Sequence, residues 1–132
     1  MPNQKKHVAT GAVVAGGANL AYQLFKLHGS PQPPPNFWEA LKRVDWGKVA
    51  LFSAAGGVIG ALPDIIEPAL HPNHRSVFHS VCCGGAVTYG AFGEHTERLH
   101  EDDRHAVQMG ALAYLSHLAL DAGTPKSLPF LI

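Results

Sequence analysis

An all-α, up-down four-helix bundle with one extra short helix is the fold class this sequence predicts. Three observations carry it. Four apolar runs of helical length are separated by segments rich in proline and turn formers. Strand signals are confined to short β-branched clusters such as Val13–Val14, set among Gly and Ala. The chain has 132 residues, which suits one core, so a single domain is expected over 1–132.

The first helix is expected over 7–26. Its lysines followed by an apolar run have the look of a signal peptide. Asn19 and Gln23 interrupt that run, and without it too few helices remain to close a bundle, so it is assigned to the fold. The linker SPQPPPN then leads into the short helix, over 37–45. Asn36 with Glu39 three residues on forms a capping-box pattern there. The second long helix is expected over 47–62, without a charge between Lys48 and Asp64. Pro63 is expected to end it, because the residue before a proline is pushed out of helical geometry. The third runs over 77–93 with Ser76 as its cap. The fourth runs over 105–121 and is stopped by Gly123, Thr124 and Pro125. Glycines at 16, 17, 56, 57, 60, 84, 85 and 110 fall inside these helices. Each costs about 1 kcal/mol relative to Ala in an exposed helix, so they are expected to mark close helix approach. Gly56 and Gly60 have small-xxx-small spacing.

Lys+Arg and Asp+Glu are both 10, so nucleic-acid binding through bulk charge is not expected. Cys82 and Cys83 are neighbours, which rules out a disulfide framework; they read as small packing residues. Two readings of the apolar helices stay open. One is a compact soluble bundle around a buried central helix. The other is a membrane-associated bundle, with Trp38 and Trp46 flanking the short amphipathic helix.

Alternating helices would sort the polar residues by end. His7, Asp64, Glu67, His71, His74, Arg75, His79, His117 and Asp121 fall at one end. His28, His95, His100 and His105 fall at the other, near EHTERLHEDDRH, a solvated loop and helix start. His117 and Asp121 are four apart and share a helix face. Imidazoles and carboxylates together suit a divalent metal, zinc above all. Asp64, His79, His117 and Asp121 would supply four ligands. His7 and His74 remain for a second ion, with Asp121 as a bridge. Arg75 is placed either on a phosphate or in a salt bridge with Asp64 or Glu67.

LPD at 62–64, HRSVFHS at 74–80 and YLSHLALDAGTP at 114–125 give the chain a further likeness. It resembles the YdjM-type family of small, inner-membrane-associated proteins regarded as metal-dependent hydrolases (domain of unknown function 457, also called LexA-binding). His7, Asp64, His74, Arg75, His79, His117 and Asp121 match that family's pattern in order, over most of the chain. The family is in turn similar to zinc-dependent phospholipase C and P1-type nucleases. That resemblance implies ligand roles for His117 and bridging Asp121, and extends less directly to Asp64, His79 and His7. It also implies location at a bacterial inner membrane, with a soluble cytoplasmic protein as the alternative. Two departures stand out. Ile66 occupies the position of the family's second acid, with Glu67 next to it. No His, Glu or Asp follows Asp121, so one or two zinc ions are expected rather than three.

The expected function is a zinc-dependent hydrolase, a phosphoesterase acting on a lipid-like or other phosphodiester. Asp64 or Glu67 would accept the water proton, and Arg75 would stabilise transition-state charge. The alternative is a metal-stabilised, membrane-associated binding or scaffolding module without catalysis.

Overall fold

The computed structural model describes residues 4–66 and 77–123. These form five helices and no strand: α1 (Gln4–His28), α2 (Phe37–Arg43), α3 (Trp46–Ile66), α4 (Val81–Phe92) and α5 (Glu101–Ala122). A 3-10 turn over Glu94–Arg98 joins α4 to α5. The all-α bundle with one short extra helix is therefore what the chain forms. Helices α1, α3 and α5 pack on one another, and α4 lies mainly against α5.

The α1–α3 contact is the most extensive among the described helices, and its cause is in the sequence. A Cβ placed on Gly60 would lie 2.7 Å from the His7 carbonyl oxygen, and one on Gly56 would overlap the Gly11 carbonyl. The two helix backbones touch at these positions, as the small-xxx-small spacing predicts. Gly17 and Gly85 depart from that expectation. Neither faces any neighbour within 4 Å, so no packing demand accounts for them.

The largest departures from expectation, four residues each, fall at three helix boundaries. Helix α3 runs through Pro63 to Ile66 instead of stopping at Leu62. Proline removes one intrahelical hydrogen bond without preventing continuation, and Pro63 is buried among the packed helices. Helix α4 begins at Val81, not 77, and Ser80 caps it by accepting from the Cys83 amide. The expected cap Ser76 lies outside the described residues. Helix α5 begins at Glu101, four residues early, with His100 accepting from the Asp102 amide. Its first turn holds Glu101, Asp102 and Asp103, which favours the positive end of the helix dipole. At α2, Asn36 accepts from the Glu39 amide as predicted. The Glu39 side chain turns to Lys42 at 2.7 Å.

One charged group ties α1 to the start of α5. Lys26 Nζ lies 2.6 Å from Glu101 Oε1, and the Tyr22 hydroxyl donates to the same oxygen. The Lys26 hydrogen bond, aided by Tyr22, holds the Glu101 carboxyl down at about 2, against an ordinary 4.5. A depressed acid stabilises the fold fully above its unfolded pKa and loses that contribution as pH falls. Wild-type stability in urea should therefore drop between pH 4.5 and about 2 more steeply than that of Glu101→Gln. Identical acid limbs for the two proteins would remove Glu101 from this role.

Candidate metal centre

The start of α1, the end of α3, the turn before α4 and the end of α5 meet at one end of the bundle. They bring together His7, Asp64, His79, His117 and Asp121. His79 and His117 are fully buried, and Asp121 and His7 are nearly so. Asp64 is the exception, with 31 % of its side chain exposed.

Each carboxylate divides its oxygens between the imidazoles. Asp64 Oδ1 lies 3.2 Å from His79 Nε2 and 3.7 Å from His117 Nε2. Asp121 Oδ2 lies 3.6 Å from His79 Nε2 and 3.3 Å from His117 Nε2. The other oxygens turn to His7 Nε2, at 3.9 Å for Asp64 Oδ2 and 3.5 Å for Asp121 Oδ1. Ligand atoms 2.0–2.1 Å from a tetrahedral zinc lie about 3.3 Å from one another. The measured separations bracket that value.

The tautomer of His117 is fixed by a backbone group. Its Nδ1 lies 2.6 Å from the Gly60 carbonyl oxygen, which can only accept, so Nδ1 carries the proton. In the neutral ring Nε2 then presents a lone pair, buried and without a hydrogen-bond partner. It faces two carboxylate oxygens. In a buried site that arrangement is repulsive unless a cation lies between them. The donor set is imidazole nitrogen and carboxylate oxygen, which suits a divalent ion. A carbonyl holding the second ring nitrogen is the usual support for a ligating histidine. Burial, with the His117 imidazole second, keeps His7 below the ordinary histidine range. Its ring stacks on His117 with centroids 3.8 Å apart.

The turn carrying His79 is held from α5. The Tyr114 hydroxyl donates to the Phe78 carbonyl, and Cys83 Sγ lies 3.3 Å from the same hydroxyl. Cys83 is thus a packing residue, as expected, and Cys82 is exposed. His79 sits in this turn, ahead of the helix, not in its first turn as expected. Two contributors were not foreseen. Tyr114 is three residues before His117 and so shares its helix face, which is a usable signal. The Gly60 carbonyl has no side-chain signature.

Glu67, His71, His74 and Arg75 lie outside the described residues. The remaining expected ligands, His7, Asp64, His79, His117 and Asp121, are together. Among the far-end histidines, His95 Nε2 lies 3.1 Å from the Gly90 carbonyl, and His105 lies 2.7 Å from Asn19. Comparison of the chain with family models, with curated proteins and with solved structures found no match.

Proposed function

We propose that this chain is a metal-dependent hydrolase, most consistent with a zinc phosphoesterase acting on a lipid-like or other phosphodiester. The observation that carries the reading is the uneven burial of the cluster. His7, His79, His117 and Asp121 are enclosed, while Asp64 opens to solvent. A closed structural site encloses all its ligands and commonly uses cysteine; an open side with only N and O donors favours catalysis. His7, His79, His117, Asp64 and Asp121 would hold one or two ions.

A divalent metal supplies Lewis acidity, which makes water a usable nucleophile near neutral pH. The chain's own groups do the rest. Asp64, reached from solvent, accepts the proton of the attacking water on a carboxylate oxygen. The Gly60 carbonyl keeps the His117 proton on Nδ1 and its Nε2 lone pair turned inward. Arg75 as a donor to phosphoryl oxygens and Glu67 as a second base complete the proposal. A membrane setting is part of it. Helices α1 and α3 are long and apolar enough to cross a membrane by length and composition. They also leave Val13 73 % and Val58 63 % exposed. The same surface supports the alternative, a membrane-associated, metal-stabilised module without catalysis.

Hydrolysis of bis(p-nitrophenyl) phosphate by zinc-loaded protein tests the reading. Asp64→Asn is expected to lower kcat by about 100-fold or more, the low end of general-base contributions. Turnover by Asp64→Asn equal to wild type would take Asp64 out of the mechanism. No turnover by fully loaded wild type on any phosphodiester would leave the binding module as the reading.

A further inference from the structure

At the other end of the bundle, Asn19 lies about 18 Å along α1 from His7, at 1.5 Å per residue. Here α1, α3 and α5, with Arg43 at the end of α2, line a half-open cavity of about 450 Å³, within the roughly 300–1,000 Å³ of small-molecule sites. We propose that this cavity binds an anionic amphiphile, a carboxylate carried on a short apolar tail.

The floor of the cavity is polar and its hydrogen bonds have a forced direction. The Asp45 amide can only donate, and it does so to Gln23 Oε1 at 2.7 Å. Gln23 Nε2 must then donate to Asn19 Oδ1, 2.8 Å away. Asn19 Nδ2 in turn donates to His105 Nε2, 2.7 Å away. His105 therefore accepts at Nε2 and carries its proton on Nδ1. Burial lowers the pKa of His105, in keeping with a neutral ring. Tyr22 stacks on that ring at 4.0 Å, and Phe52 meets it edge-on at 5.1 Å. Nδ1 then carries a proton that can donate to a bound acceptor.

The walls and mouth set the ligand's chemistry. Leu27, Leu51, Phe52 and the Tyr22 ring make the wall mostly apolar, which suits a hydrocarbon tail. Lys26, Arg43 and Lys48 bring positive charge, and Asp102 brings one negative charge. Lys26 is already neutralised by Glu101. Arg43 keeps its head in place by donating to the Gln32 carbonyl at 2.9 Å. The lining thus carries more positive than negative charge in a chain whose net charge is zero. An anionic head group is favoured there over a cationic one.

Titration of octanoate into protein labelled with ¹³C-histidine tests the proposal. A saturable, one-to-one shift of the His105 ring resonances is expected, with those of His7, His79 and His117 unmoved. Lys48 is exposed, so Lys48→Glu should leave the fold and metal content intact. It should weaken octanoate binding by about tenfold or more, and Arg43→Glu should do the same. Octylammonium should leave His105 unmoved. Three results would each overturn the proposal. They are a His105 shift that does not saturate, an equal response to octylammonium, and octanoate acting at His79 and His117 instead.

Discussion

Protein purified without chelators is expected to contain one to two zinc ions per chain, and His117→Ala combined with Asp121→Ala to contain none. The size of the effect follows from Asp121. Its two oxygens lie within 3.6 Å of His7, His79 and His117, so its loss removes a group common to all three imidazoles. His117 supplies the lone pair fixed by the Gly60 carbonyl. Metal content by plasma mass spectrometry is the measurement. Stripping the metal from wild type would remove the cation from among the imidazole nitrogens and carboxylate oxygens gathered around Asp121. Breaking a buried ionic arrangement in this way costs about 3–5 kcal/mol. A chelator should therefore lower the Tm of wild type markedly and leave that of the double variant where it is. Wild-type stoichiometry well below one would remove the metal centre and the hydrolase proposal with it.

Gly60→Ala is expected to damage the fold and the metal centre together. The added Cβ would sit 2.7 Å from the His7 carbonyl oxygen and 3.1 Å from the Gly11 Cα. Both neighbours are backbone, so no side chain can swing away, and α1 must move off α3. Overpacking of this kind costs about 1–3 kcal/mol. The same movement shifts His7 and displaces the carbonyl that fixes the His117 tautomer. Losing such a supporting contact lowers metal affinity by about 10–100-fold. Gly17→Ala is the control. Among the described residues an added Cβ there would meet nothing within 4 Å beyond its own helix backbone, and exchange of a helical glycine for alanine favours the helix by up to about 1 kcal/mol. Urea denaturation and zinc titration of both variants provide the comparison. Equal stability and equal zinc affinity would show that the α1–α3 contact does not govern the centre.

Much of this was legible in the sequence because it follows from spacing. Four apolar runs gave four long helices, and alternating directions brought His7, Asp64, His79, His117 and Asp121 to one end. The misplaced boundaries have tertiary causes. Pro63 ends a helix by local rule, yet α3 continues because Pro63 is buried against neighbouring helices. The late start of α4 reflects a turn pinned by Tyr114 from another helix, which no local pattern reports. The Gly60 carbonyl was invisible for a simpler reason: every residue has one, and only its position gives it a role. The cavity around His105 was hidden likewise. Asn19 and Gln23 were read as interruptions of an apolar run. Their part in a hydrogen-bond chain depends on Asp45, some twenty residues away.

Among the described residues the bulkiest fully buried side chains are His79, His117, Asn19, Asp121 and Pro63, while many large apolar ones lie outside. Such an interior releases little hydrocarbon surface from water when it forms. The heat-capacity increment of unfolding scales with that surface. For this chain it should be small, and free energy should vary with temperature along a shallow arc. Backbone contact and polar bonding would then set the working range of the molecule, with oil-like burial in a minor part.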